Sequence, residues 1–323
     1  MAILIGTDEA GYGPNLGPLV ISASVWHLPD SCRDQELYEL LQGSVARAGR
    51  HSDQVTICDS KQLYHPGGGL AELERSLLSC LAALGRFPST CVELWQTLAS
   101  DGDSQRRAVP WYAAYCEALP VAAVDVECRQ LGDRLRSTAA GVDTELLDLC
   151  STIVTEPEYN RRLEFCGNKS TLLSEATLQL IATLMEECPG EDGRGDDILV
   201  QCDKHGGRNR YGALLQHTFP DVWIETCEES RNVSRYCWVD RGRRVEVRFQ
   251  CRGEVFLPAA LASICSKYFR EMAMRAFNHY WQQQAPGVRP TAGYPQDARR
   301  FYRDIEPHRL RLKVSDDSLW RRK

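Results

Sequence analysis

The sequence predicts an α/β protein: a mixed β-sheet flanked by helices, within one large domain. Three observations predict it. Short apolar runs such as Ile3–Ile5 and Ile198–Cys202 have the length of buried strands. Val245, Val247, Phe249 and Cys251 alternate with polar residues, the period-2 pattern of a half-buried strand. Leu70, Leu73, Leu77, Leu78 and Leu81 recur at helical spacing.

The elements follow in chain order. Residues 2–26 read as two strands joined by a loop holding Gly11, Gly13, Pro14, Gly17 and Pro18, too many breakers for either strand to continue. Val55–Lys61, a glycine run at 67–69 and the leucine-rich helix come next. Between 88 and 165 the spacing predicts a strand near 91–98 and helices over 111–119, 121–135 and 144–154, hence a mainly helical insertion at about 89–165. A helix over 171–187 and a polar loop at 189–197 lead to the strand Ile198–Asp203. Residues 236–252 read as a hairpin turning at Arg241-Gly242-Arg243. Pro258 opens a helix through Trp281, and residues 282–323 form a C-terminal segment expected to contact substrate.

Composition fixes the class. With 323 residues, 43% hydrophobic and 25% charged, the chain can bury a substantial core, which excludes disorder as the dominant state. No run approaches the roughly 20 apolar residues that span a bilayer, so no membrane partner is expected. Fourteen cysteines include no C-x-x-C pair and no zinc spacing, and the opening residues lack an export signal. A cytoplasmic location with free thiols is the expectation. The net charge of −6, from 38 basic and 44 acidic residues, argues by itself against a nucleic-acid partner.

Local patterns argue the other way. Asp8 and Glu9 follow an apolar strand and precede Gly11-Tyr12-Gly13; Asp203 closes a second strand and Glu254 follows a third. Burying acids beside core strands is costly unless a cation compensates. Carboxylates gathered at strand ends suit Mg²⁺, which takes oxygen ligands, and a pair of such ions can drive phosphodiester hydrolysis. Taken singly, each acid reads as well as a cap or a surface residue.

The stretch Gly6-Thr-Asp-Glu-Ala-Gly-Tyr-Gly-Pro-Asn-Leu-Gly-Pro-Leu-Val resembles the opening signature of the ribonuclease HII (type 2 ribonuclease H) family. Further likenesses follow in order: Asp59-Ser60-Lys61-Gln62-Leu63, Asn168 before a helix, the strand ending at Asp203, Ala260–Glu271, Gly293-Tyr294-Pro295 and His308-Arg309. They span about 1–85 and 165–312. The resemblance implies a divergent member with a ribonuclease H-like sheet and Mg²⁺ or Mn²⁺ dependence, two ions acting together. It also implies cleavage of RNA in RNA–DNA hybrids or ribonucleotide-containing duplexes by a water nucleophile, with no organic cofactor. The sequence leaves the oligomeric state unknown, with a monomer favoured. Asp8 would bridge the ions, with Glu9 and Asp203 as further ligands. Counting back from Lys267 by the family spacing reaches Gly253, so Glu254 would stand for the fourth acid, with Asp240 and Glu246 as weaker substitutes.

Gly11, Tyr12 and Gly13 match the loop that reads the 2′-hydroxyl, but Tyr12 replaces the family arginine. Lys61 matches a phosphate contact and Tyr294 a residue packed on the sugar. Lys204 and Arg208, just after the third acid, are expected to meet the backbone, and His205 reads as an ordinary loop histidine ahead of a proton shuttle. Residues 231–252 hold seven arginines against two acids, a net of +5, which suits an electrostatic track. The Tyr12 and Glu254 departures leave two alternatives: a nucleic-acid-binding protein with impaired catalysis, or a structure-specific or DNA-directed nuclease.

Overall fold

The computed structural model describes residues 2–29, 36–64, 69–99, 102–188 and 196–322. Most of the glycine run at 67–69 and of the polar loop at 189–197 lies outside them.

The strands are β1 (Ala2–Ala10), β2 (Leu19–Leu28), β3 (Val45–Ala46), β4 (Val55–Thr56), β5 (Glu145–Val154), β6 (Asp197–Asp203), β7 (Glu225–Glu229), β8 (Val233–Asp240) and β9 (Arg243–Gln250). The helices in the first half are α1 (Leu37–Leu40), α2 (Ser60–Leu63), α3 (Ala71–Ala83), α4 (Cys91–Leu98), α5 (Asp103–Ala108), α6 (Pro110–Ala113) and α7 (Asp125–Ala140). Those in the second are α8 (Glu156–Cys166), α9 (Lys169–Glu187), α10 (Gly212–Thr218), α11 (Leu257–Gln284), α12 (Pro295–Leu312) and α13 (Asp316–Leu319).

Seven strands form one sheet in the order β5-β2-β1-β6-β9-β8-β7. The pairs β1–β6 and β6–β9 are parallel; β1–β2, β2–β5, β8–β9 and β7–β8 are antiparallel. The expected fold class, a mixed sheet flanked by helices, is what the structure shows. Alternation along the strands divides the core. Ile3, Ile5, Val200, Val247 and Phe249 face one layer, where α9 contributes Leu173, Ile181 and Leu184. On the other side α3, α7, α11 and α12 pack together through residues such as Leu77, Leu131, Ile264 and Phe301.

Helix α11 runs so close to β1 that a β-carbon at Gly6 would lie 2.2 Å from the Ala259 nitrogen. Only glycine permits that approach. It sets the first turns of α11 against the strand that carries Asp8.

Two readings in the 89–165 region are reversed, although the region remains mainly helical. The expected strand at 91–98 is helix α4: the Thr90 hydroxyl accepts from the Glu93 amide at 3.1 Å, and the Glu93 carboxylate accepts from Ser89 N at 2.7 Å. Thr90-x-x-Glu93 is a capping pattern, and it outweighs the β-branched content. The expected helix at 144–154 is strand β5, which pairs with β2 from Leu19↔Val154 to His27↔Glu145. Its burial gives the sheet an edge strand, which helical spacing of a few leucines does not reveal. The 111–119 helix shrinks to α6, while the 121–135 helix persists as α7. The 13 cysteines among the described residues are free. No described helix is long and apolar enough to cross a membrane.

Candidate active site

Parallel pairing of β1 with β6 ends at Thr7↔Cys202, so Asp8 and Asp203 are the next residues on adjacent strands. The chain then returns through a 3₁₀ turn, Gly253–Val255, whose Gly253 amide donates to Asp203 Oδ1 at 3.1 Å. That bond brings Glu254 to the same end of the sheet. From the other direction α2 arrives with Asp59 as its cap, accepting from Lys61 N at 3.0 Å. The Ser60 hydroxyl lies 3.0 Å from that of Ser263 on α11.

The acids lie in one electrostatic neighbourhood. Burial pushes Asp8 up to about 7, opposed by the Ser263 hydroxyl and the Glu9 amide and reinforced by the charges of Asp203 and Glu254. Glu9 is held well above the usual carboxylate range, by burial first and then by Asp8 and Asp203, with Lys61 opposing. Partial desolvation works against the exposed Lys61 ammonium. Asp59, Glu254, Asp8 and Asp203 outweigh it and hold its pKa above the usual lysine range.

Such crowding of like charge is what a bound cation relieves. Among the described residues, however, no three His, Cys, Asp or Glu side chains close on a point that would hold a metal ion. The donor set, oxygen only and short of positive charge, fits a hard divalent cation; the side chains are not drawn together on it.

The loop after the first two acids is tightly held. Gly11 has φ +94°, and a β-carbon there would lie 2.4 Å from the Pro18 oxygen. Gly13 is exposed, with open space beside it. Tyr12 lies between the loop and the start of α9. The Lys169 ammonium sits 4.7 Å from its ring centroid, and its hydroxyl is favoured in the neutral form by burial and Glu9 against Ser170 and Arg208. Asn168 caps α9 by accepting from Thr171 N at 2.9 Å.

Residues after Asp203 divide sharply. Arg208 donates to Thr171 Oγ1 at 3.0 Å and stays half-buried beside Tyr12. Lys204 does not meet the backbone as expected. Its ammonium is 2.9 Å from Asn209 Oδ1, 2.7 Å from the Ser230 oxygen and 3.1 Å from Ser234 Oγ. All three donors are committed inside the protein, so Lys204 braces the 203–210 loop against β8. His205 is equally internal: its Nδ1 is 2.9 Å from Ser174 Oγ, and burial followed by Arg208 pushes it down to about 3. It is neutral near pH 7 and cannot serve as a cationic shuttle.

Tyr294 stands at the N-cap position of α12 and is 56% exposed. The preceding Gly293 carbonyl accepts from Asn15 N at 2.8 Å, tying it to the glycine loop. Of the track arginines, Arg243 is buried on the carbonyls of Cys188 and Met185 and supports the fold. Asp240 pairs with Arg243, and Glu246 with Arg248, so neither weaker substitute joins the acids.

Sequence reasoning missed the support behind the loop. Arg321, 1% exposed, donates to the carbonyls of Gly11 and Pro14, each at 2.5 Å. Glu156, fully buried, accepts from the Tyr112 hydroxyl at 3.1 Å. Arg270 reaches the carbonyls of Leu16 and Ala292 at 3.3 Å. Only Arg270 lay within a recognisable pattern, the helix resembling the family's.

No family model and no curated protein matches the chain. Solved structures do resemble it in shape. The ribonuclease H2 of Pyrococcus horikoshii OT3 is 16% identical, with 98% of this chain and 92% of that one covered and a TM-score of 0.43. The RNase HII of Archaeoglobus fulgidus, solved as a complex with PCNA, is 13% identical over 98% and 93%, with a TM-score of 0.41. Bst-RNase HIII, solved with Mn²⁺, is 13% identical over 99% and 66%, with a TM-score of 0.40. The chain is similar, at low identity, to these solved ribonuclease H2, HII and HIII structures.

Proposed function

We propose that the chain is a divalent-metal-dependent endonuclease that hydrolyses the RNA strand of RNA–DNA hybrids. One observation carries the reading: Asp8, Glu9, Asp203 and Glu254 meet at one end of the sheet, where burial first and then neighbouring carboxylates push Asp8 up to about 7 and Glu9 well above its usual range. A fold gains nothing from such crowding unless the site is completed by a cation. Asp8, Glu9, Asp203 and Glu254 would hold Mg²⁺ or Mn²⁺. When bound, the ions supply charge that stabilises a phosphodiester under attack by water.

The protein's own groups do the rest. Ser263 and the Glu9 amide favour ionised Asp8, keeping it ready for a cation. Lys61, on an exposed turn facing the acids, offers a phosphate contact. The Gly11–Gly13 backbone, with Gly13 uncovered, lets a sugar approach closely. Tyr294 presents an aromatic face beside the same loop, and residues 282–323 act as a substrate-contacting segment of a single 1–323 domain. Tyr12 is engaged with Lys169, so the loop reads a 2′-hydroxyl through backbone groups in place of an arginine.

A second reading, a nucleic-acid binder with impaired catalysis, is favoured by the absence among the described residues of three acids closed on one point. Incubating the wild type with a hybrid, a DNA duplex carrying one ribonucleotide and an all-DNA duplex, in Mg²⁺ or Mn²⁺, separates the readings. Cleavage confined to RNA-containing substrates supports the proposal. Cleavage of all-DNA alone contradicts it, and binding without cleavage favours the second reading.

A further inference from the structure

Beyond α11, a cleft of about 540 Å³ among the described residues lies on the sheet face that carries Asp8, over β6, β9 and β8. Strand alternation puts Gln201, Arg235, Arg244, Glu246 and Arg248 on this face, and all five line the cleft. Three arginines thus converge from two strands. Glu246 is occupied by Arg248 and lies 3.8 Å from Arg244. Arg235 is less engaged: among the described residues its Nε is buried without a hydrogen-bond partner. Gln201, only 7% exposed, has an amide oxygen in the same condition. An unpartnered buried donor is costly, and Arg235 Nε beside this cleft calls for a ligand that accepts a hydrogen bond; the Gln201 oxygen, itself an acceptor, adds nothing toward an anion.

The cleft's wall gives its sign: three arginines face Glu246 and Glu36, and Glu36 is itself paired with Arg47. Leu257 and Pro258 open the 28-residue α11, whose first residues lack a side-chain cap, so the positive end of that helix adds to the arginines. An anion is the ligand such a wall holds. Val255, also in the wall, follows Glu254 on the same 3₁₀ turn. Along β1, Leu4 in the cleft and Asp8 at the acids share a face about 13 Å apart, at the usual rise per residue. A chain of phosphates spans that distance; a free small anion does not.

We propose that this cleft is a second phosphate-binding site, taking the backbone of a nucleic-acid strand a few nucleotides from the phosphodiester held at the acids. The inference rests on the nuclease reading for the position of that phosphodiester. It narrows the sequence's broad basic track to Arg235, Arg244 and Arg248.

The test is binding of a fluorescent 20-base-pair RNA–DNA hybrid by full-length protein in EDTA across a salt series. Arg235→Glu is expected to weaken binding about tenfold or more and to flatten the salt dependence by about one ion, while Arg235→Lys keeps most of both. Arg244→Glu, at an exposed position, gives the same direction with little risk to folding, and thermal melts confirm that each variant is folded. Unchanged affinity and salt slope in both reversal variants overturn the proposal. So does inorganic phosphate that binds the wild type but not Arg235→Glu while hybrid affinity stays level, since the cleft would then take a free anion. Weakened binding in a protein that cleaves nothing supports the cleft and removes the nuclease reading; Asp8-dependent cleavage with binding indifferent to Arg235 does the reverse.

Discussion

Arg321 and Gly11 are 310 residues apart in sequence, yet the Arg321 guanidinium lies 2.5 Å from the Gly11 carbonyl oxygen. The same guanidinium reaches Pro14 O, and its backbone amide donates to Asn15 O at 2.8 Å. The Tyr159 ring is stacked 4.4 Å from it. A chain segment remote in sequence therefore fixes the backbone that follows Asp8 and Glu9.

Arg321→Gln is expected to lower stability by about 2–4 kcal/mol, because several buried acceptors lose a charged donor. It should also slow hybrid cleavage more than it weakens hybrid binding. Thermal melts with single-turnover kinetics check both; a variant as stable and as fast as the wild type contradicts the positioning role.

Glu156 predicts a pH dependence of stability. Burial pushes it up to about 7, against the opposing effects of Tyr112 and Arg321. A folded pKa raised above the unfolded value means stability that is full below about 4.5 and is lost as pH rises through 7. Glu156→Gln should therefore gain on the wild type across that window, by up to roughly 3 kcal/mol above pH 7. Denaturant unfolding at pH 4.5 and 8 checks this, and a gap that does not widen with pH counts against it.

Asp8→Asn removes one charge from the crowded acids. Without divalent ions the variant should melt higher than the wild type. Millimolar Mg²⁺ should then raise the wild-type melting temperature and raise that of the variant less. Equal shifts in both would locate the cation elsewhere.

Lys204→Gln should cost about 2–3 kcal/mol of stability, since three internal hydrogen bonds depend on its ammonium. The salt dependence of hybrid binding should not change. A slope reduced by about one ion would return Lys204 to the substrate surface.

Local pattern made much of the framework legible. Ile198–Asp203 was readable as a strand from its short apolar run, Val245–Cys251 from its alternation, and α11 because its apolar spacing runs through Trp281. β5 was not, since its leucines fit helical spacing and only pairing with β2 decides between the two. The acids were readable as strand-end residues, but their coupling depends on the β1–β6 register, which sequence does not reveal. Lys204 misled because a lysine after a catalytic-looking acid suggests solvent, whereas Asn209, Ser230 and Ser234 enclose it. Arg321 carried no local signal at all: its partners lie at the far end of the chain.

The central claim is that the four acids form one hydrolytic site. Its most direct test is the single-turnover rate of RNA-strand cleavage in an RNA–DNA hybrid, wild type against Asp8→Asn, at matched Mg²⁺. The account predicts measurable wild-type cleavage that falls by about a hundredfold or more in the variant. Equal rates in the two proteins, or no cleavage by the wild type, would contradict it.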